Sequence, residues 1–198
     1  YGVGLQIGRS LARDGIEIDS AALVRGIIDA VNGTDAALTP AQIQAAFGEW
    51  QKQAAERRKL KGAKSLEEGK KFLAANAKKK GVVVLKSGLQ YEVIRSGKGA
   101  TPTATDTVTT HYQGKLISGK IFDGSYKTKE PTKDDEPISF PVGGVIAGWT
   151  EALKLMKVGD KWRLFIPSEL AYAERGAGSD IGPNSVLVFE IELLGIKK

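Results

Sequence analysis

The stretch Val186-Leu-Val-Phe-Glu-Ile-Glu-Leu193 alternates apolar and polar side chains toward its end, as a half-buried strand does. A second stretch, Lys161-Trp-Arg-Leu-Phe-Ile166, has the same character, and Gly159-Asp160 marks a turn before it. Between residues 81 and 198 only Thr150–Met156 has helical spacing. Several antiparallel strands with one short helix predict an α+β domain.

The first 80 residues have a different pattern, which predicts helices. Val3, Ile7 and Leu11 recur at helical spacing, and a turn is expected at Asp14-Gly15. Asp19 or Ser20 can cap a second helix, which Asn32-Gly33 ends.

A third, long helix is predicted over Thr39–Lys80. Thr39 is a candidate N-cap, Pro40 occupies the first turn, and Gln42 completes a capping box. Its distal half, Lys52–Lys80, holds eleven basic and three acidic residues and few apolar ones, while Gly62 and Gly69 weaken its middle. Such a segment is expected to be a solvated helix or a surface for an acidic partner.

Composition and charge exclude several kinds of site. The 198 residues contain no Cys and one His, so disulfides, thiolate nucleophiles and zinc-thiolate sites are excluded. The only histidine, His111, lies in an alternating segment without an evident catalytic partner, and a packed or sheet-surface role is favoured for it. No phosphate-binding glycine motif occurs, and Asp134-Asp135-Glu136 lacks the spacing of a calcium loop. We therefore expect no metal and no cofactor.

Net charge is uneven along the chain. Residues 1–80 carry 14 basic and 9 acidic side chains, a net charge of +5, and residues 81–198 carry 15 and 14, a net charge of +1. The basic helix is a candidate for binding nucleic acid, but aromatic residues do not interleave with it, so a solvated face is favoured. No apolar run is long enough for a transmembrane segment.

Aromatic and aliphatic residues beside turn signals form a set that favours an ordinary core, with an apolar binding cleft as the alternative. They are Tyr112, Phe122-Asp123-Gly124, Val145-Ile-Ala-Gly-Trp149, Leu170-Ala-Tyr172, Ile181-Gly-Pro183 and Phe189.

Their order along the chain resembles the FK506-binding protein (FKBP) family of peptidyl-prolyl cis-trans isomerases over roughly residues 85–197. The motifs that carry the resemblance are Val-x-x-His111-Tyr112-x-Gly114, Gly119-x-x-Phe122-Asp123-x-Ser125, Phe140-x-Val-x-x-Val145-Ile146-x-Gly148-Trp149, Ile166-Pro167-x-x-Leu170-Ala171-Tyr172 and Ile181-x-Pro183-Asn184. The sequence departs from the family pattern at Ala173, where a glycine is usual, at Gly182, where a proline is frequent, and in the charged insertion Tyr126–Glu136.

The helical part also resembles one bacterial branch of that family, the macrophage infectivity potentiator (Mip) and FkpA-like proteins. Tyr1-Gly-x-Gly4-x-x-Ile7-Gly8, Phe72-Leu73-x-x-Asn76-Ala77 and Ser87-Gly88-Leu89-Gln90-Tyr91 carry this resemblance. It implies a helical dimerisation domain over residues 1–38, a connecting helix over 39–80 and an isomerase domain over 81–198. The isomerase domain would be a twisted antiparallel sheet wrapped around a short helix.

The resemblance also implies roles for individual residues. Trp149 would form the cleft floor, Asp123 would be the polar group near the substrate carbonyl, and Ile146 would offer its backbone N–H. Tyr172 and Ile181 would come from a loop overhanging the cleft. The expected catalytic residues are Asp123, Tyr172 and Phe122. The expected walls of the cleft are Tyr112, Phe122, Val145, Ile146 and Phe189.

The implied function is isomerisation of X–Pro bonds in polypeptide clients, with assistance to folding as a homodimer through the N-terminal helices. FK506 and rapamycin are expected to bind the cleft, and neither nucleic acid nor a membrane span is expected. The branch is typically exported, to the periplasm or the outer membrane. The chain begins at Tyr1 as a trimmed chain would, so a removed signal peptide or lipid anchor would not be visible in it. Two alternatives stay open: a non-catalytic chaperone or scaffold that holds apolar segments, and a nucleic-acid-binding module that uses the basic helix.

Overall fold

The computed structural model describes residues 1–13, 19–128 and 130–197. The chain divides into two compact units, Tyr1–Arg58 and Lys59–Lys198. The α-helices are α1 (Gly2–Arg13), α2 (Ser20–Asn32), α3 (Pro40–Asn76) and α4 (Ala147–Leu153). The strands are β1 (Val82–Val84), β2 (Gln90–Arg95), β3 (Thr107–Leu116), β4 (Ile121–Gly124), β5 (Ile138–Pro141), β6 (Lys161–Ile166) and β7 (Leu187–Lys197). The predicted α+β class is confirmed.

Capping residues define the ends of the N-terminal helices as the sequence predicts. The Asp19 carboxylate accepts hydrogen bonds from the backbone N–H groups of Ala21 and Ala22, and α2 ends at Gly33, which has a left-handed φ of 64°. At the start of α3 the Thr39 N–H donates to Gln42 Oε1 at 2.9 Å, and the Gln42 N–H donates to Thr39 Oγ1 at 3.3 Å. The turn expected at Asp14-Gly15 lies outside the described residues.

The sheet of the second unit is antiparallel in all its pairings. Its strand order is β1-β2-β6-β7-β3-β4, and β5 pairs with β3. The buried side chains of β7 alternate along the strand, so that one face of the sheet forms the core with α4. The largest fully buried core residues are Leu89, Leu153, Met156, Leu164, Ile166, Leu187, Ile191 and Leu193.

Helix α4 begins three residues before the predicted Thr150. The Ile146 carbonyl already accepts hydrogen bonds from the N–H groups of Trp149 and Thr150, at 2.9 and 3.1 Å. Gly148 lies outside the helix that the sequence predicts, but it is a helical residue whose small size serves packing. A Cβ at this position would lie 2.5 Å from Ile166 Cγ2, so that only glycine lets α4 approach β6 this closely.

The distal part of α3 belongs to the second unit and packs against its sheet and loops, which neither of the two sequence expectations for this helix included. Gly62, Gly69 and Asn76 are buried, and their seven-residue spacing places them on one face of the helix. Gly69 lies against Val186, whose Cγ2 would be 2.7 Å from a Cβ there, and the Phe72 ring lies 6.0 Å from that of Phe165.

A buried amide pair fixes the end of the same helix. Asn76 Nδ2 donates to Gln90 Oε1 at 3.0 Å, and Gln90 Nε2 donates to the Leu73 carbonyl at 3.0 Å. The lysines of this segment are exposed, so a solvated basic surface describes the outer faces of the helix but not its inner one. No described helix is both long enough and apolar enough to cross a membrane.

Candidate active site

A cavity of about 460 Å³ opens between α4 and the face of the sheet on which α4 packs. Residues of four strands, the segment before α4, α4 itself and the segment after β6 surround it. They are Tyr112, Asp123, Phe140, Gly144, Val145, Ile146, Trp149, Tyr172 and Phe189. A mostly apolar concave site of this size can enclose a small cyclic group.

The floor of the cavity is the Trp149 indole, which is only 4% exposed. Three rings meet it edge-on, at centroid distances of 5.2 Å for Tyr112, 5.6 Å for Phe140 and 5.2 Å for Phe189. Edge-to-face packing of this kind is a favourable arrangement of aromatic rings. It holds Trp149 in one orientation through contacts from three strands.

One carboxylate marks the polar edge of the cavity. The Tyr112 hydroxyl donates to Asp123 Oδ2 at 2.8 Å, and the Gly124 N–H donates to Asp123 Oδ1 at 2.9 Å. Burial, followed by this hydrogen bond, raises the pKa of Tyr112, so the phenol keeps its proton to a higher pH than an exposed tyrosine does. The pair therefore presents a fixed negative group beside an apolar surface.

The structure brings seven of the nine expected site residues together around the cavity: Tyr112, Asp123, Val145, Ile146, Trp149, Tyr172 and Phe189. Phe122 and Ile181 lie outside its lining. The Phe122 ring packs edge-on against Phe189 at 5.5 Å, and Ile181 is buried and pairs with Ala177 through backbone hydrogen bonds. Phe122 therefore supports a wall residue, and Ile181 anchors the loop that follows Tyr172.

The Ile146 N–H fits the role that the resemblance implies for it. Ile146 precedes the first turn of α4 and lines the cavity, and its N–H has no hydrogen-bond acceptor within the described part of the chain. A free backbone N–H beside an apolar cavity can donate a hydrogen bond to a carbonyl oxygen of a bound peptide.

Two lining residues were not assigned a role from sequence, and a third residue supports the site from behind. Phe140 and Gly144 line the cavity. Gly114 lies behind it, and a Cβ there would be 2.6 Å from Phe189 Cε1 and 2.7 Å from Phe122 Cζ. Phe140 and Gly114 both belong to the family motifs quoted above, and this membership could have marked them as candidates. Their contacts could not be predicted, because the sequence does not give the distances between rings on different strands.

Other residues singled out from the sequence lie elsewhere. His111 Nδ1 lies 3.1 Å from Ser125 Oγ, and its ring lies edge-on to Tyr126. Because neighbouring residues of a strand point to opposite faces, His111 faces away from the side of Tyr112. Over residues 1–13, 19–128 and 130–197 no cluster of three His, Asp or Glu side chains has the geometry to hold a metal ion.

Comparison with known proteins places both units in one family. Residues 98–194 match the FKBP-type peptidyl-prolyl cis-trans isomerase family, and residues 1–93 match the domain amino terminal to FKBP-type peptidyl-prolyl isomerases. The chain is 49% identical over 197 residues to the FKBP-type 22 kDa peptidyl-prolyl cis-trans isomerase of Escherichia coli, covering 99% of this chain and 93% of that protein.

More distant relatives cover the chain equally well. It is 41% identical to the outer membrane protein MIP of Legionella longbeachae, covering 100% of this chain and 84% of that protein. Among solved structures, that of FkpA from Escherichia coli covers 100% of this chain and 94% of that chain, with a TM-score of 0.71 and 38% identity.

Proposed function

The chain belongs to the FKBP-type peptidyl-prolyl cis-trans isomerases, and from this premise we propose that the cavity over Trp149 is where it isomerises X–Pro bonds of polypeptide clients. The single observation that carries the proposal is the set of three rings packed edge-on around the Trp149 floor, with one carboxylate at the edge. The pyrrolidine ring of proline fits such a site by shape and apolar area.

The reaction needs no nucleophile and no proton transfer. Rotation about the peptide C–N bond breaks amide resonance, at a barrier of about 18–20 kcal/mol. The twisted transition state is less dipolar across the amide than the planar ground state. A water-poor, apolar cavity therefore disfavours the planar form more than the twisted one, which lowers the barrier.

The polar groups of the cavity would orient the substrate. Asp123, at the polar edge of the cavity, would interact with the carbonyl group of the residue before proline, and the Ile146 N–H would donate to a carbonyl oxygen of the client. Tyr172, at the mouth of the cavity, would cover the bound ring and exclude water. Phe122 would act through Phe189 rather than by touching the substrate.

The deciding experiment is cis-to-trans isomerisation of a short X–Pro peptide, with and without rapamycin. Wild type and Tyr172→Ala are compared with Leu194→Ala, since Leu194 is equally exposed, at 38%, but does not line the cavity. We expect rapamycin-sensitive acceleration that falls in Tyr172→Ala and persists in Leu194→Ala. Absence of acceleration by folded wild type would instead support the non-catalytic holding function.

A second set of variants tests the role of Asp123. If its carboxylate orients the substrate, Asp123→Ala lowers kcat/KM by about tenfold, the loss typical of a charge-assisted interaction. Tyr112→Phe keeps the ring and removes the donor, so its smaller effect isolates the hydrogen bond. Full activity of Asp123→Ala would contradict the orienting role.

We propose further that the first unit forms a homodimer, which would give a client two tethered isomerase sites. Apolar side chains of α1, α2 and α3 are exposed there: Val3, Ile7, Val24, Ile27, Ile28, Val31, Ile43 and Phe47. Gly4 and Gly8 of α1 have no other group within 4 Å of an added Cβ, which leaves room for close approach of a second helix. The dimer would assist folding of whole proteins more than turnover of short peptides.

Export to the periplasm or outer membrane is also a proposal, supported by the relative that is named an outer membrane protein. Fractionation of cells that produce the complete protein tests it, and recovery only with cytoplasmic markers would contradict it. Nucleic-acid binding by the basic helix is the less favoured function. Salt-sensitive retention of the full chain on DNA or RNA would support nucleic-acid binding.

A further inference from the structure

The loop after Tyr172 holds two unusual backbone conformations. Within the described residues, Ala173 and Asn184 are the non-glycine residues with positive φ, at 45° and 56°. Left-handed backbone costs an ordinary L-residue about 1–2 kcal/mol, although asparagine tolerates it better than most. The two residues are joined directly, because the Asn184 N–H donates to the Ala173 carbonyl at 2.8 Å. Backbone strain is therefore concentrated at the two ends of the loop from Ala173 to Asn184, which follows the cavity residue Tyr172.

The same loop fixes the backbone of Tyr172. The N–H groups of Arg175 and Gly176 donate to the Tyr172 carbonyl, at 3.1 and 3.2 Å. The loop then turns back through the Ala177–Ile181 bridge and returns to Asn184. The position of the Tyr172 ring consequently depends on what holds Asn184.

Asn184 is held by helix α3. Its Nδ2 donates to the Gly62 carbonyl oxygen at 3.3 Å. The contact is close because residue 62 has no side chain: a Cβ there would lie 3.3 Å from both Asn184 Nδ2 and Pro183 Cβ. Asparagine is suited to this position for two reasons: it tolerates the left-handed backbone region, and its side chain carries an amide donor.

We propose that Asn184 is a positioning residue for the isomerase site, one that ties the loop bearing Tyr172 to the Gly62 carbonyl of helix α3. The inference rests on the proposed function of the cavity. The distal part of α3 thereby becomes a structural component of the active site rather than only a connection between the two units. Its contribution acts through Tyr172 and not through contact with the substrate.

Three full-length variants separate this role from general stability. Asn184→Gly removes the amide but keeps the left-handed backbone accessible, and Asn184→Asp keeps a short polar side chain that cannot donate. Asn76→Ala is the matched control, because it breaks a different side-chain amide bond between α3 and the sheet, that from Asn76 to Gln90. We expect both Asn184 variants to lower kcat/KM on a short X–Pro peptide about threefold to tenfold, the factor of one lost hydrogen bond. The control is expected to stay within about twofold of wild type at temperatures where it is folded.

A double-mutant cycle shows whether the effect passes through Tyr172. In a Tyr172→Ala background, Asn184→Gly is expected to cost no further activity, whereas independent effects would multiply. Multiplying effects, or equal losses in Asn76→Ala and Asn184→Gly, would overturn the proposal.

Amide hydrogen exchange gives a readout that does not depend on turnover. Asn184→Gly is expected to accelerate exchange at Arg175 and Gly176, whose N–H groups bond to Tyr172, while Asn76→Ala leaves them unchanged. Unchanged exchange in Asn184→Gly would overturn the proposal, even if wild type were inactive. An inactive wild type with accelerated exchange in the variant would instead overturn only the proposed function.

Discussion

The two units of the chain contain similar apolar residues but bury them to very different degrees. In the first, Val24 and Phe47 are 53% and 59% exposed, and Asp29 is the one buried residue that the structure describes there. In the second, α4 and the sheet enclose a continuous core. Since burial of apolar surface is the main source of stability, we expect the second unit to fold on its own and the first to need another surface that covers its helices.

The largest expected effect is a difference in stability between two fragments, which tests the residue at which the independently folding unit begins. Residues 59–198 should fold and turn over short peptides like the full chain. Residues 81–198, the isomerase domain expected from sequence, would lack Phe72 and the Asn76–Gln90 pair and would expose Val186. We expect their free energy of unfolding to be lower by about 4 kcal/mol, comparable to loss of a large apolar side chain. Urea denaturation of both fragments measures this, and equal stabilities would place the boundary at 80 after all.

A second prediction concerns the exposed helices of the first unit. Val24→Asp with Ile28→Asp places two carboxylates on the apolar face of α2, and burying them against a second copy is costly. We expect the dissociation constant of the dimer to rise at least about a hundredfold. Turnover of short peptides should be unchanged, and refolding of whole proteins should be slower. Sedimentation at several concentrations measures the mass. The control Ala45→Asp adds a carboxylate at an exposed position of α3 on the side of the helix away from Ile43 and Phe47. A monomeric wild type would refute the dimer itself.

Helix caps and strands were predicted from the sequence, because neighbouring residues along the chain determine them. The Asp19 cap, the Thr39–Gln42 capping box and the strands β6 and β7 stand where caps and alternation place them. Most of the residues around the cavity were also expected, but through resemblance to a family. From the residues alone, an ordinary core was the favoured interpretation of the same aromatics.

Features that depend on distant packing were not predictable from the sequence. Gly62 and Gly69 were expected to weaken a polar helix, because nothing local reveals which surface a glycine faces. For the same reason the contact of Gly148 with Ile166 and that of Phe122 with Phe189 have no signal in the sequence.

A third prediction concerns the strain within the second unit. Ala173 stands at a φ of 45°, where glycine is free of steric cost. Ala173→Gly should raise the free energy of unfolding by about 1 kcal/mol, since relief of strain exceeds the added freedom of the unfolded chain. Ala177→Gly, in the same loop but without a positive φ, is the matched control and should destabilise. Thermal unfolding measures both, and a lower melting temperature for Ala173→Gly would show that the loop carries no strain there.

The smallest expected effect again distinguishes the two units, this time by pH. Tyr126 is buried in the second unit, and burial, with nearby glutamates, raises its pKa to about 12, against a usual value near 10. The folded state therefore holds this proton more tightly than the unfolded state, so the stabilisation is complete below pH 10 and is lost as the pH rises toward 12. Melting temperatures between pH 9 and pH 11 should fall less steeply in Tyr126→Phe than in wild type. Tyr1, fully exposed in the first unit, supplies the control, because Tyr1→Phe should leave the slope unchanged. If Tyr126→Phe left it unchanged too, alkaline unfolding would have to begin at another group, and Tyr112, whose pKa burial also raises, is the next to substitute.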